Sequence, residues 1–334
     1  MNLVRYRNPV HSKYFADPFV WKAGDEYCAV GTGPDEAAGR RREAQQPTVF
    51  PLLRSSDLVN WREAGRALIP PAAALGDAFW APEVATDGKR WFMYYSVGFN
   101  DRLHHLRVAI SNSPLGPYTD ANALTNVEET SFAIDPHPFQ DADGRWYLFY
   151  ARDFLTTEDE RGAEVRAGTA LVARAMPGMT ELSPVEVTIA RARCDWQRFA
   201  HDRLMYGRRF DWHTLEGPFV VRERSRYFCF FSGGCWQTDT YGTDYVVANS
   251  VLGPYSDEGV DRGPRVLKTI PDRVIGPGHC SIVTGPDRAT RYIVYHAWDS
   301  DRTARRMCID EVAFSTDGPN CYGPSTSDQK ISLG

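Results

Sequence analysis

Five side chains that can exchange protons or carry charge stand beside five prolines spread along the chain. They are Asp17 before Pro18, Glu83 after Pro82, Asp135 before Pro136, Glu216 two residues before Pro218, and His279 two residues after Pro277. Four of them are carboxylic acids. Acids gathered in one pocket cannot all ionise freely, so at least one pKa is expected to rise. A protonated carboxyl facing an ionised one is suited to cleaving an acetal between sugars. The first gives its proton to the leaving oxygen, and the second activates water on the other side of the ring. Each residue also has a plainer reading. Asp before Pro is a common turn residue, and Glu before Gly-Pro can be a solvated loop acid. Glu83 is read as the partner in a structural hydrogen bond, and His279 equally as a satisfied core histidine. The chemistry gains weight only if the chain brings these positions together.

A repeat supplies the means. The stretch 132–153, "FAIDPHPFQDADGRWYLFYARD", holds Asp135 before a proline, an Asp143-Gly144 turn and an aromatic strand from Trp146 to Tyr150. Asp-Gly between apolar runs is a strong hairpin signal, and Pro136 is expected to push Asp135 toward an extended backbone. The same design returns at 16–33, 80–98, 215–234 and 275–298. A second, weaker repeat follows, clearest in "VAISNSPLGPYTD" and "VVANSVLGPYSD". The unit is thus a four-stranded antiparallel meander used five times, which predicts an all-β, five-bladed β-propeller with large loops. The first strand of each blade lies against the central axis, so the five proline-marked strand starts gather at one mouth. Residues 1–15 are expected to close the ring by joining the last blade, which removes an exposed edge. Residues 1–334 read as a single catalytic domain, with a loosely held tail from about 317. Residues 34–47, with Arg40 to Arg42, read as a solvated loop. The stretch 191–213 reads as a long irregular loop whose Trp212 and His213 form pocket walls.

Composition narrows the partners. A net charge of −5 offers no basic footprint for nucleic acid. No run of 18 apolar residues is present to span a membrane, and the start has no apolar leader, which favours the cytoplasm. The seven cysteines are odd in number and lack a CxxC pair. Cys28, Cys229, Cys280 and Cys308 fall in apolar strands and read as buried free thiols. The aromatic share of 13% suits both sheet packing and stacking on sugar rings.

The motifs "ADPFV", "WAPEV", "IDPHPFQDADGRWYLFY", "EGPFV", and "GPGH" followed by "YHAW" occur in that order from Ala16 to about Phe314. With them the chain resembles glycoside hydrolase family 43, whose five-bladed propellers act on plant-wall pentose polymers. The resemblance implies an inverting hydrolase with Asp17 as general base and Glu216 as general acid. Asp135 would orient that acid and tune its pKa. It further implies Trp80 as a sugar platform and Arg305 as a substrate contact; Phe79, His137 and Trp212 are further candidate substrate contacts. No cofactor is required for the chemistry, although a calcium or sodium ion in the central channel near His279 is implied. Two departures stand out: Glu83 where many relatives have Asp, and Cys280 where some have Asn. The expected substrate is a small oligosaccharide that yields α-L-arabinofuranose, or else β-D-xylose. An endo-arabinanase, a retaining relative acting on fructosides and a non-catalytic sugar-binding propeller are the alternatives.

Overall fold

The second strand of each repeat is apolar almost without alternation, as in "WFMYYSV" from Trp91. A strand reads this way when both faces of its sheet are covered. In the computed structural model, which describes residues 2–34, 49–159, 162–257 and 259–334, that is the arrangement. The strands form a five-bladed β-propeller. Blade one runs through Ala16–Ala23, Glu26–Thr32, Val49–Ser55 and Arg62–Ile69. Blade two runs through Ala78–Thr86, Trp91–Phe99, Arg102–Ser111 and Tyr118–Ala123. Blade three comprises Ala133–Gln140, Trp146–Phe154, Gly168–Met176 and Glu186–Ala190. Blade five comprises Ile275–Thr284, Arg291–Trp298, Arg305–Ser315 and Gly318–Cys321. All neighbours within these blades are antiparallel. Blade four uses the second half of Arg208–Glu223, then Arg226–Gly233 and Gly242–Ala248. Its outermost strand shrinks to one bridge between Val247 and Ser256. The five inner strands touch one another in a closed cycle, blade one to two to three to four to five and back to one.

The core lies between blades and is strongly aromatic, with Tyr27, Tyr94, Tyr95, Tyr150, Tyr295 and Phe92 fully buried. All seven cysteines are free, and the four expected in the core are buried.

Three expectations change. Residues 191–213 are not an irregular loop. They form a short 3-10 turn, Asp195–Gln197, and a hairpin of Arg198–Met205 with the first half of Arg208–Glu223. Its turn residues, Tyr206 and Gly207, both have positive φ, which matches the twist of a two-residue hairpin turn. The tail is not loose either. Gly318–Cys321 completes blade five, and Gln329–Ser332 pairs with Leu3–Tyr6, burying Ile331 completely. Residues 1–15 reach blade five by a different route from a full strand: the N–H groups of Val10 and Phe15 donate to the carbonyls of Met307 and Arg305. The loop at 34–47 falls outside the described residues after Pro34.

Candidate active site

Every inner strand breaks register at its proline. The shifts fall between Ala16 and Phe19, Trp80 and Glu83, Ile134 and His137, Glu216 and Phe219, and Ile275 and Gly278. At each break the residue before the proline takes a left-handed backbone: Asp17 (φ 50°), Ala81 (46°), Asp135 (58°), Gly217 (58°) and Gly276 (55°). Asp135 is therefore not extended, as its proline had implied. Bulges of the G1 kind hold one residue in this region, and Asp tolerates it better than most residues with a side chain. The consequence is positional. The bulge turns the residue before the proline, and the one before that, toward the axis at one mouth. Asp17 and Asp135 hold the first kind of position; Trp80 and Glu216 hold the second.

These four residues, with His279 and Arg305, line a cavity of about 350 Å³. Asn100, Asp101, Phe199, Arg203, Trp236 and Gln237 complete its rim. The size is at the lower end for small-molecule sites.

The three acids are bonded differently. The Thr32 hydroxyl donates to Asp17 Oδ2 at 2.6 Å, and the Asp17 N–H donates to His296 Nδ1 at 3.0 Å. Oδ1 faces His279 Nδ1 at 3.4 Å, His296 Nδ1 at 3.3 Å and an Arg305 guanidinium nitrogen at 3.5 Å. Burial pushes the Asp17 carboxyl up, but His279, Arg305 and His296 together hold it well below the usual carboxylate range. Burial lowers both histidines, His296 to about 4, so at neutral pH the lasting positive charge against Asp17 is Arg305. Asp135 Oδ2 accepts the Gly217 N–H at 2.8 Å, so it grips the backbone immediately after Glu216. Burial first, then the charges of Glu216 and Asp17, drive the Asp135 carboxyl well above its ordinary value. Burial likewise raises Glu216 to about 7. Its Tyr241 hydrogen bond at 2.7 Å opposes that rise, and the Asp17 charge adds to it. One cavity thus holds an ionised carboxylate and two carboxyls that favour their protons.

Gly217 explains why blade four carries glycine where blades one and three carry Asp. A Cβ there would stand 3.1 Å from the His279 ring, on a backbone that already has positive φ.

The sequence profile of glycosyl hydrolases family 43 matches residues 6–319. The chain belongs to this family. It is 27% identical over 332 residues to the β-D-galactofuranosidase XynD of Aspergillus niger, covering 93% of this chain and 83% of that protein. It is 24% identical to the extracellular endo-α-(1→5)-L-arabinanase 1 of Bacillus subtilis, covering 91% and 86%. Among solved structures, a thermostable family-43 glycoside hydrolase superposes with a TM-score of 0.77 at 28% identity, covering 97% of this chain and 98% of that one. This chain is accordingly a family-43 glycoside hydrolase.

Not every residue expected to touch the substrate reaches the cavity. Trp80 does, and its indole stacks on the His104 ring at 3.7 Å between centroids. Phe79 does not: at 2% exposure it packs against Phe50 and Tyr95 in the core. The bulge turns Trp80 inward and so sends its neighbour the other way. His137, two residues past its bulge, is buried and does not line the cavity. Its Nδ1 bonds Glu83 Oε2 at 2.7 Å, and its Nε2 accepts the Val220 N–H. Glu83 is thereby placed in the structural hydrogen bond expected of it. Trp212 is 1% exposed and packs under Phe210 and Tyr206 on the hairpin. His213 contacts Arg166, away from the cavity. The residues do not fit a protein-chelated ion at His279. Its ring partners are two carboxylates of the pocket, and among the described residues no three His, Cys, Asp or Glu side chains converge on a metal position.

Sequence reasoning missed four contributors: Thr32, Tyr241, His296 and Trp236. Trp236 supports the Arg305 guanidinium at 4.4 Å and stacks on Trp298. Thr32 also accepts the Ala81 N–H at 2.9 Å, linking the base of blade one to the bulge of blade two. Thr32→Val removes both bonds in a buried site, which costs about 1–3 kcal/mol for each group left unsatisfied. Loss of the donor to Asp17 also raises the pKa of that carboxyl. The acidic limb of the kcat/KM profile is expected to move to higher pH in Thr32→Val and to return toward wild type in Thr32→Ser. Equal profiles in the two variants would limit Thr32 to packing.

Proposed function

We propose that the chain is an inverting, exo-acting glycosidase that releases a terminal pentose, α-L-arabinofuranose foremost, from short oligosaccharides. Asp17 takes a proton from water as that water attacks the anomeric carbon. Glu216 gives its proton to the departing oxygen. Asp135 holds Glu216 in place through the Gly217 N–H, while burial and the charge of Asp17 keep the proton on Glu216. Trp80 supplies a flat apolar face for a sugar ring. The carrying observation is the opposed ionisation of Asp17 and Glu216 within one buried cavity. Buried acids whose pKa values are driven apart are the usual mark of paired acid and base roles.

A second substrate has specific support, because the relative at 27% identity is a β-D-galactofuranosidase. β-D-Galactofuranose has the ring configuration of α-L-arabinofuranose with one more exocyclic carbon, so a pocket shaped for the shared ring separates them only at that end. Nitrophenyl α-L-arabinofuranoside, β-D-xyloside and β-D-galactofuranoside, assayed side by side, rank the three. Highest kcat/KM on the arabinofuranoside is expected; no turnover of any of them would remove the reading. Proton NMR of the first-formed sugar should show the inverted anomer.

The pH profile follows from the same geometry. Glu216 must be protonated to act, so kcat/KM is expected to fall as pH rises through about 7. The Tyr241 hydroxyl donates to its carboxylate and favours the ionised form. Tyr241→Phe removes that preference, so the basic limb should move to higher pH. A shift to lower pH would contradict the assignment of that limb to Glu216.

A further inference from the structure

Two side chains on the rim belong to elements that no motif marked. Asp101 sits at the tip of the blade-two hairpin joining Trp91–Phe99 to Arg102–Ser111. Arg203 lies on the hairpin inserted before the inner strand of blade four. Both line the catalytic cavity, and an Arg203 guanidinium nitrogen stands 3.3 Å from Asp101 Oδ2. Blade three lies between blades two and four, so this pair crosses above it.

The crossing is supported at both ends. On the blade-two side, His104 Nε2 donates to the Asn100 carbonyl at 2.7 Å, and the same ring stacks on Trp80. Burial holds His104 down at about 3, so the ring stays neutral and keeps this single donor pattern at working pH. On the other side, the Arg203 guanidinium lies over the Phe199 ring at 4.6 Å, and Phe199 also lines the cavity. The hairpin itself is tied to blade three. The Tyr206 hydroxyl at its tip donates to Asp153 Oδ2 at 2.7 Å, and Gly168 and Thr169 pair with His213 and Thr214. The result is a continuous wall, Trp80–His104–Asn100–Asp101–Arg203–Phe199, along one side of the pocket.

We propose that Asp101 and Arg203 are specificity-determining residues that close the blade-three side of the pocket and confine hydrolysis to chain ends. A polymer cut internally must run into the pocket and out again, and this wall removes one of the two exits. The inference rests on the exo-glycosidase reading above and names the residues that enforce it. The pair is partly solvated, with the Asp101 side chain 64% exposed, so its contribution as a bond is small and salt-sensitive. Its effect is steric: it keeps a long side chain standing across the rim.

The test compares wild type with Asp101→Ala/Arg203→Ala on linear α-1,5-arabinan and on nitrophenyl α-L-arabinofuranoside. Product lengths are read by chromatography during the first few per cent of reaction. Wild type is expected to release monosaccharide alone. The double variant, with its Tm unchanged, is expected to yield oligosaccharides, raising the ratio of internal to terminal cleavage at least about tenfold. The charge-swapped Asp101→Arg/Arg203→Asp should restore terminal release. Oligosaccharides from wild type, or only monosaccharide from a folded double variant, would overturn the wall's role while leaving the glycosidase assignment standing. If wild type turns over neither the aryl glycoside nor arabinan, the arabinofuranosidase reading falls, and this inference falls with it.

Discussion

Glu216→Gln is expected to lower kcat on an arabino-oligosaccharide by about 10³-fold, within the 10²–10⁴ that a positioned general acid contributes. The amide keeps the shape of the acid, and its oxygen can still accept the Tyr241 hydroxyl, so the pocket should survive. It has no proton to give a poorly departing sugar oxygen. A dinitrophenyl glycoside leaves without that help, so its turnover should fall far less. The basic limb near pH 7 should vanish with the group that causes it. Stability gives an independent check. The folded pKa of Glu216 is raised from the ordinary 4.5 to about 7, so the wild type loses stability as pH rises through that interval. At about 1.36 kcal/mol per unit the loss is roughly 3 kcal/mol. Glu216→Gln does not ionise and escapes it. The variant should melt at a higher temperature than wild type at pH 8 and close to it at pH 5. Equal loss of activity on good and poor leaving groups would place proton delivery on another residue.

Much of this site is legible in the sequence. A proline recurring ahead of short strands marks inner strands that start at the same mouth, and Asp17, Asp135, Glu216, Trp80, His279 and Arg305 do share one cavity. What the proline does not reveal is the bulge. A bulge offsets the two-residue alternation by one. Phe79 and His137 lie one residue before Trp80 and two past Asp135, and the shifted strands turn both away from the cavity. Trp212 failed for a different reason. The alternation Phe210-Asp211-Trp212 was a strand signal, and an inward-facing residue on a hairpin packs beneath it rather than beside the ligand. Thr32 carries no motif, His296 stands within "YHAW" with no role marked for it, and Tyr241 again carries none, because all three act on the acids from second strands or a connecting loop. Their partners lie 15, 279 and 25 residues away in the chain, at distances only the closed ring defines. The stretch carrying Arg203 reads in the sequence as an irregular loop, so neither its hairpin nor the reach of Arg203 to Asp101 could be seen there.

Asp17→Asn should be the more damaging change, with kcat reduced by about 10³–10⁴ on good and poor leaving groups alike, because both routes need an activated water. That indifference to the leaving group separates the base from the acid. The substitution also alters the field of the pocket. The charge of Asp17 raises both Asp135 and Glu216, so its removal should move the basic limb of the residual activity to lower pH. Arg305 loses its buried counter-charge. Breaking such a pair costs about 3–5 kcal/mol when nothing replaces the partner. Here Tyr14 still accepts from the guanidinium at 2.8 Å and Trp236 still covers its face, so a loss near the lower figure is expected by chemical denaturation. Within the amide, the carbonyl oxygen should turn toward the Thr32 hydroxyl, which leaves the NH2 group against Arg305, two donors facing each other. The paired variant Asp17→Asn/Arg305→Met relieves that clash, so it should regain stability without regaining turnover. If Asp17→Asn keeps turnover within tenfold of wild type, water is being activated elsewhere, and the ordering of the three acids has to be redrawn around Asp135.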